Sequence, residues 1–272
     1  MNIFRNITLG TAILATAFLS SACAGYSNSR QEQETEASVS TQTETTQCPQ
    51  STSNADEAKK ILSRWQGGKP VVADTTILLQ CFTASEIPDS VFARMKGKSF
   101  KDNCTVPLSE LRYLTIPHYD GKGNILMGEL VCNKALAQDM IDIFTIAFQH
   151  QYPIELMVLV DNFNAEDRPS MAANNTSCFN FRVVAGSKNL SNHAKGRAID
   201  VNPRYNPYVQ RKPGKPVYVS PKNGTPYADR SKNFKYKTGP GDLLYNEFMK
   251  RGYTWGGAWK SMQDYQHFEK KN

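Results

Sequence analysis

Two short segments of the chain contain the residue types that bind a catalytic metal ion. The first contains His193 and, seven residues later, Asp200. The second, close to the C-terminus, contains His267 with Asp264 three residues before it. The two imidazoles and the carboxylate of Asp200 can fill three positions of a tetrahedral zinc site and leave the fourth open for a water. Asp264 is then a candidate general base for that water.

The residues around these side chains form two motifs. The pattern Ser-x-His-x-x-Gly-x-Ala-x-Asp runs from Ser191 to Asp200, and the C-terminal segment reads Asp-x-x-His. Together they resemble the zinc peptidases of bacterial cell walls, a family that includes the VanY-type D-Ala-D-Ala carboxypeptidases and the L-alanyl-D-glutamate endopeptidases of phage endolysins. The first motif is specific, because five fixed residues recur by chance in about one in ten thousand chains of this length. The resemblance extends more loosely over residues 86–272.

The resemblance implies a role for each residue of the site. The metal ligands would be His193, Asp200 and His267, which would bind Zn²⁺. Asp264 would take a proton from the attacking water. Arg182 matches an arginine that the family uses to bind the substrate and polarise the scissile carbonyl, and its fork can also hold a carboxylate. Ser191 matches a substrate-binding position, although a helix or turn cap is an equally good interpretation of this serine.

The predicted activity is zinc-dependent hydrolysis of peptide bonds in peptidoglycan stem peptides. The candidate base in the C-terminal motif is an aspartate, Asp264. The Asp-x-x-His form resembles that of the L-alanyl-D-glutamate endopeptidases, whereas the family's D-Ala-D-Ala carboxypeptidases typically have Glu at the corresponding position. The motif therefore favours the endopeptidase, and the carboxypeptidase is the alternative. A non-catalytic, zinc-stabilised cell-wall binding module is a competing class. Asp264 favours the enzyme, because a binding module has no chemical need for a base.

The N-terminus has the features of an export signal. Arg5 provides a positive charge, and residues 7–19 form an apolar stretch that is too short for an ordinary membrane span. Cys23 ends a sequence that resembles a bacterial lipobox, with Ser20 where an aliphatic residue is usual; its small neighbours also fit an ordinary signal-peptidase site. We expect residues 1–23 to be a signal peptide that ends at the lipidated Cys23. This predicts a lipoprotein anchored in the bacterial envelope, either periplasmic or at the cell surface.

A polar, acidic stretch follows at residues 24–57. It contains almost no apolar side chains, so it cannot bury a core, and we expect a disordered tether. Residues 58–272 then form the predicted peptidase domain. The chain has a net charge of +7 despite the acidic tether, so the domain is basic. Basic groups suit anionic cell-wall polymer and lipid headgroups, and the sequence has no nucleic-acid motif and indicates no protein partner.

Cysteine usage fits an oxidising compartment. Cys81, Cys104, Cys132 and Cys178 lie inside the predicted domain and allow three disulfide pairings, among which the sequence does not choose. Cys48 is left over in the tether. None of these cysteines has the Cys-x-x-Cys spacing of a zinc site, so disulfides are the favoured interpretation.

Strand and helix signals are mixed without a repeating β-α-β rhythm. The predicted elements are a strand at 125–131, a helix capped by Asn133, a buried strand at 154–160, a hairpin at 215–228 around Asn223-Gly224, a helix capped by Asp242, and two short closing strands. This mixture predicts an α+β domain with a small antiparallel sheet flanked by helices. The family resemblance implies the hedgehog/DD-peptidase fold.

The pleat of a strand sets a geometric condition on the site. Residues three apart on one strand point to opposite faces, so Asp264 and His267 can serve one site only if the chain bends between them. The remaining histidines, His118 and His150, are interpreted as structural. His150 ends a predicted helix, where a cation meets the negative end of the helix dipole.

Overall fold

The computed structural model describes residues 53–271. The predicted signal peptide at 1–23 with the lipidation of Cys23, and residues 24–52 of the predicted tether with Cys48, lie outside the described residues. Within the described part, no helix is both long enough and apolar enough to span a bilayer.

Ordered structure starts four residues before the predicted domain boundary. The first helix is Asn54–Arg64, and the Ser53 side chain caps it by accepting a hydrogen bond from the Asp56 N–H. Asp56 and Glu57 form an acidic first turn, which the positive end of the helix dipole favours. Asp56 and Glu57, which the sequence assigned to the predicted tether, therefore belong to the first turn of a helix.

The described part of the chain contains six α-helices, nine β-strands and seven short 3₁₀ helices. The helices are α1 (Asn54–Arg64), α2 (Thr75–Leu78), α3 (Asp89–Met95), α4 (Ala137–Gln149), α5 (Asp167–Ala172) and α6 (Leu243–Lys250). The strands are β1 (Thr83–Ser85), β2 (Leu111–Tyr119), β3 (Ile125–Asn133), β4 (Ala198–Asp200), β5 (Tyr208–Gln210), β6 (Tyr218–Ser220), β7 (Thr254–Trp255), β8 (Gln263–Asp264) and β9 (His267–Glu269). The α+β prediction is confirmed at this level.

The strands form three antiparallel sheets of three strands each. Their orders are β1-β2-β3, β4-β9-β7 and β6-β5-β8. The second and third sheets are joined at the turn between β8 and β9, so two adjacent strands of the sequence belong to different sheets. This is the part of the fold that builds the site.

One hydrophobic core holds the second sheet against two helices. Phe268 of β9 stacks on Phe248 of α6 with ring centroids 4.4 Å apart. Phe144 of α4 meets Phe248 edge to face at 6.4 Å. All three side chains are almost fully buried, and burying an aromatic of this size contributes roughly 1.5–3 kcal/mol. The back of β9 is therefore fixed by packing.

The two helices with capping signals were predicted correctly. The Asn133 side chain accepts a hydrogen bond from the Ala135 N–H, and a short 3₁₀ turn leads into α4. The Asp242 side chain accepts from the Tyr245 N–H at the start of α6. Both caps satisfy backbone donors that the first helical turn leaves free.

The buried strand predicted at residues 154–160 is wrong. The segment is buried but mostly irregular, and asparagine side chains take the place of a neighbouring strand. Asn175 Oδ1 accepts from the Val158 N–H at 2.8 Å, and its Nδ2 donates to the Val158 carbonyl at 2.9 Å. Asn202 Oδ1 accepts from the Glu155 N–H at 3.1 Å. Isolated backbone bonds satisfy other groups, such as the Ile154 N–H to the Tyr119 carbonyl at 2.8 Å and the Glu129 N–H to the Met157 carbonyl at 3.0 Å. Because buried backbone groups need only a partner, these scattered bonds and the amides take the place of a continuous ladder.

The hairpin predicted around Asn223-Gly224 is also wrong. Residues Lys222–Tyr227 form a 3₁₀ helix. The hairpin of this region is instead β5 with β6, in which Val209 lies opposite Val219. A Cβ on Gly224 would lie 2.8 Å from the Arg204 carbonyl oxygen, so this glycine serves a close backbone approach instead of a turn.

The cysteines of the described domain are free thiols. This corrects the expectation of disulfides among Cys81, Cys104, Cys132 and Cys178. Three of the four are buried, and burial raises the pKa of Cys132 to about 12. In these positions a thiol behaves as a small apolar side chain.

Candidate metal centre

Strand register brings one predicted ligand directly opposite another. β4 and β9 are antiparallel neighbours in which Asp200 pairs with His267. Opposite residues of such a pair point to the same face, with Cβ atoms about 4.5–5.5 Å apart. The next pair, Ile199 and Phe268, points to the other face and is fully buried in the core. Alternation therefore sends the apolar pair into the core and the carboxylate and imidazole into the site.

The third predicted ligand, His193, lies in a 3₁₀ turn just before β4. Ser191 Oγ accepts a hydrogen bond from the His193 backbone N–H at 3.2 Å, which is the capping role that the sequence left open. The turn ends at Gly196 with φ of +65°. A Cβ at this position would lie 2.6 Å from the Asn133 nitrogen, so both the backbone angle and the close approach require glycine.

Three donor atoms converge at this place. His193 Nε2 lies 3.2 Å from His267 Nδ1 and 3.3 Å from Asp200 Oδ1. His267 Nδ1 lies 3.1 Å from the same carboxylate oxygen. Ligands about 2.0–2.1 Å from a tetrahedral zinc lie about 3.3 Å from one another. The three residues are buried, and their spacing fits a metal ion of this size.

The remaining nitrogen of each imidazole is held by an acceptor. His193 Nδ1 lies 2.7 Å from the Cys178 carbonyl oxygen, so this nitrogen must donate. His267 Nε2 lies 3.1 Å from Glu269 Oε2, which also accepts from Asn192 Nδ2 at 2.7 Å. With those protons placed, the neutral imidazoles turn lone pairs towards each other. That arrangement is repulsive unless a cation lies between them, and such outer acceptors are typical of metal-binding histidines.

The charges of the cluster also favour a cation. Burial alone would raise the pKa of Asp200. The charges and hydrogen bonds of His193 and His267 outweigh burial and hold this pKa well below its usual range. Burial alone would lower the pKa of His267. Hydrogen bonds to Asp200 and Glu269 outweigh burial and raise this pKa to about 10. The hydrogen bond from His267 is the main cause that lowers the pKa of Glu269 to about 2. A proton and a metal ion therefore compete for His267 Nδ1.

Asp264 reaches the cluster from a different sheet. It lies in β8 opposite Tyr208, and a turn at Tyr265 and Gln266 separates it from His267 in β9. The bend that the sequence demanded is thus present. Gln266 Nε2 donates to Asp264 Oδ1 at 2.9 Å. Burial and then the negative charge of Asp200 raise the pKa of Asp264 to about 6, close to the pH at which a general base must work.

Gly256 allows Asp264 and His267 to come together. A Cβ at Gly256 would lie 2.7 Å from the Asp264 carbonyl oxygen, 2.9 Å from the Asp264 Cβ and 3.2 Å from the His267 Cβ. Trp259, three residues further along, covers the His267 ring with centroids 5.3 Å apart. Trp255 Nε1 donates to the Tyr265 carbonyl at 2.9 Å and fixes the turn.

Comparison with known proteins decides the family to which this region is similar. Residues 185–270 match the family model described as D-alanyl-D-alanine carboxypeptidase. The resemblance is confirmed. The match supports a peptidase, and it covers the three predicted ligands and Asp264. No curated protein and no solved structure matches the chain.

Arg182 lies just before the residues that match the peptidase family. Its guanidinium forms an ion pair with Asp167 at the start of α5, so in this state the arginine contacts a carboxylate outside the metal cluster. Asp167 also accepts from Asn180 Nδ2 at 2.9 Å. The Arg182 carbonyl accepts from the Ser191 N–H at 3.0 Å, which ties its backbone to the segment that leads to His193.

The other predicted structural residues are where the sequence placed them. His118 is buried in β2, and His150 caps the end of α4 with Nδ1 2.9 Å from the Ile146 carbonyl.

Sequence reasoning missed the groups that orient the ligands. Glu269 and Asn192 were not singled out, whereas Gly256 was expected to lie in a loop before the final strand. A signal existed for Glu269, because residues two apart on a strand share a face and Glu269 follows His267 by two. No sequence signal indicates that the Cys178 carbonyl faces His193, since any residue type has that atom.

Proposed function

We propose that the chain is a zinc-dependent peptidase that hydrolyses peptide bonds in peptidoglycan stem peptides. The observation that carries the proposal is the convergence of His193 Nε2, Asp200 Oδ1 and His267 Nδ1 at 3.1–3.3 Å, with Asp264 beside them. The family match over residues 185–270 supports the peptidase class.

The ligands and their acceptors have separate tasks. His193, Asp200 and His267 hold the ion, while the Cys178 carbonyl and Glu269 keep the two imidazoles in the ligating tautomer. When bound, zinc supplies a Lewis acid that polarises a carbonyl and lowers the pKa of water. The buried positions of the three ligands limit competing water around the ion.

Asp264 is the proposed general base. With a pKa raised to about 6 by burial and by Asp200, it is mostly ionised at pH 7 and can still accept a proton. It takes a proton from the attacking water and returns it to the leaving amine, and the hydrogen bond from Gln266 orients its carboxylate.

Arg182 is proposed to bind the substrate and polarise the scissile carbonyl. The guanidinium would then exchange its Asp167 partner for a substrate oxygen, or share it, since a guanidinium has five donors. Arg182→Ala is expected to leave a folded, zinc-loaded protein with low activity, and loss of zinc would make Arg182 a structural residue. Ser191 is proposed as a minor substrate contact through its hydroxyl proton, because its oxygen already caps the His193 turn.

The bond that is cut is proposed to be the one between L-Ala and D-Glu. The Asp-x-x-His form of the C-terminal motif supports this choice. The second candidate is D-Ala-D-Ala carboxypeptidase activity, which the description of the matching family favours. Digestion of defined muropeptides followed by mass spectrometry separates the two. Free D-Ala released from a pentapeptide stem, with the L-Ala–D-Glu bond intact, would select the carboxypeptidase.

A non-catalytic, zinc-stabilised binding module is the competing class. The position of Asp264 beside the cluster supports an enzyme, because a module that only binds needs no base there. Incubation of the zinc-loaded protein with purified sacculi tests the proposal. Release of soluble stem-peptide fragments is expected, and binding to sacculi without any release would favour the module.

The surroundings of the domain are proposed from the sequence alone. The fold is proposed to be of the hedgehog/DD-peptidase type, in one peptidase domain that starts with α1 at Asn54. Residues 1–23 are proposed as an export signal that ends at lipidated Cys23, and the tether of this envelope lipoprotein is proposed to be shortened from residues 24–57 to residues 24–53. Mass spectrometry of the membrane-bound protein should show acyl chains on Cys23, and a mature N-terminus at Gly25 would withdraw the anchor.

A further inference from the structure

A groove lies between α5 and the segment that contains β6. Its cavity volume is about 1150 Å³, whereas pockets for drug-sized ligands usually measure about 300–1000 Å³. Asn223 Nδ2 donates to the Ala172 carbonyl at 2.9 Å and ties the two walls together at one end. The groove is thus closed at one end and has room for more than a dipeptide.

Each wall of the groove leads to a proposed catalytic residue. α5 begins at Asp167, the ion-pair partner of Arg182. The other wall is β6, whose sheet continues through β5 to β8 and Asp264. Neighbouring strands lie about 4.8 Å apart, so Asp264 is only about 10 Å across the sheet from β6. The metal centre is not part of the groove lining, and the sheet β6-β5-β8 connects the groove to Asp264.

One face of this sheet provides a surface between Asp264 and the groove. Tyr208 lies opposite both Asp264 and Ser220, and Gln210 lies opposite Tyr218. These residues therefore share a face. The Tyr208 and Tyr218 rings meet edge to face at 6.1 Å, and Tyr218 is 48% exposed. An extended ligand can lie along these rings.

The charges of the groove indicate what it binds. Its lining contains the cations Arg168, Arg211 and Lys222 and one carboxylate, Asp229. That carboxylate already accepts from the Ser231 N–H and hydroxyl, which lower its pKa.

Two of the cations are unpaired. Arg168 and Lys222 form no ion pair with any residue of the described range 53–271, and both are exposed. Arg211 donates to Gln263 Oε1 at 2.9 Å, next to Asp264 in the chain. Unpaired guanidinium and ammonium groups beside apolar and aromatic side chains fit a ligand that bears carboxylates on an aliphatic backbone.

We propose that this groove binds the part of the substrate that lies beyond the scissile bond, and that this part is an extended peptide with free carboxylates. The inference rests on the proposed peptidase function. It adds that recognition depends on carboxylates several residues from the reacting carbonyl.

The test compares two peptides that differ only in charge. One is the tetrapeptide stem L-Ala–γ-D-Glu–L-Lys–D-Ala, and the other is the same peptide with both carboxyls amidated. Binding to zinc-loaded Asp264→Asn protein is measured by calorimetry, so that turnover does not interfere. The acid form should bind about tenfold more tightly. Arg168→Ala and Lys222→Ala should each weaken its binding about three- to tenfold and leave the amide unchanged.

Lys250→Ala is the matched control. Lys250 is an exposed cation of α6 outside the groove lining, so its removal changes the net charge equally and should leave both affinities unchanged. Arg168 and Lys222 have no partners to lose, so unaltered melting temperatures are expected for their variants.

Equal affinity for the two peptides, or groove variants that bind the acid form normally, would overturn the proposal. Displacement of the peptide from the groove by polyglycerol phosphate at lower concentration would also overturn it, because the site would then select an anionic wall polymer. The wild-type digest separates this inference from the function. Cleavage that is insensitive to Arg168→Ala and Lys222→Ala refutes the groove alone, whereas charge-dependent binding without cleavage supports the groove and refutes the peptidase.

Discussion

Gly256→Ala tests whether the contact between Asp264 and His267 sets the activity. The new Cβ would lie 2.7 Å from the Asp264 carbonyl oxygen and 2.9 Å from its Cβ. Ordinary contacts begin near 3.4 Å, so Asp264 must move by about 0.7 Å. The new Cβ would also lie 3.2 Å from the His267 Cβ, and this contact requires His267 to move by only about 0.2 Å. The substitution therefore displaces the proposed base more than the ligand.

The magnitude follows from this geometry. A misplacement of 1 Å can cost about a hundredfold in rate, so a shift of about 0.7 Å is worth roughly ten- to fiftyfold in kcat/KM, or about 1.4–2.3 kcal/mol. Overpacking of a filled site costs roughly 1–3 kcal/mol of unfolding free energy. We expect both losses, with zinc content unchanged.

The assay combines kcat/KM, zinc content and chemical denaturation. Gly239→Ala is the matched control, because its Cβ would meet only the Trp255 ring at 3.6 Å, an ordinary contact. It should keep normal activity and stability. If Gly256→Ala were as active as Gly239→Ala while being measurably destabilised, the position of Asp264 would not limit the reaction, and its role as the base would be refuted.

Three further predictions concern single residues. His267→Ala should lose both zinc and activity, whereas Asp264→Asn should keep zinc and lose roughly two to four orders of magnitude in kcat; elemental analysis showing full zinc in His267→Ala would contradict the ligand set. Because the proton on His267, with a pKa of about 10, must leave before an ion binds, apparent zinc affinity should rise about tenfold per pH unit between pH 6 and 9. A flat profile would refute this competition between the proton and the ion. Burial lowers the pKa of His118 to about 4 from 6.5; the unfolded chain then binds the proton first, so stability is lost as pH falls from 6.5 towards 4, by about 2 kcal/mol between pH 7 and 5. Chelator-treated His118→Leu should lack that part of the loss, and the same acid sensitivity in both proteins would assign it elsewhere.

Local signals were enough for the elements that depend on local physics. Asn133 and Asp242 cap the helices that follow them because a cap involves only residues within one turn. Residues 154–160 show where this fails. Their apolar run indicated burial correctly, but strand structure depends on the partner. At Val158 that partner is the side chain of Asn175, which only the folded chain brings there. The hairpin around Asn223 failed in the same way, because the partner of β6 is β5.

The candidate site was more predictable than the fold. The structure brings His193, Asp200 and His267 together as predicted, because their spacing is fixed by one turn and one strand pair, which a motif records. The groups that orient them come from distant segments, such as the Cys178 carbonyl. The disulfide expectation was wrong for a related reason, since cysteine count is a property of composition while pairing depends on distance in the fold.

The pairing of β4 with β9 has a consequence for how the chain is held closed. β9 has three residues, so few backbone hydrogen bonds hold this strand in its sheet. An ion shared by His193 and His267 would close a loop across the 74 positions that separate them, in which β5, β6 and α6 all lie. Opening the C-terminal strand would then require release of the ion, whereas removing the ion would leave that strand free to fray while the α4 core stays closed. The metal would thus stabilise the segment between His193 and His267 against local unfolding, in addition to its chemical role.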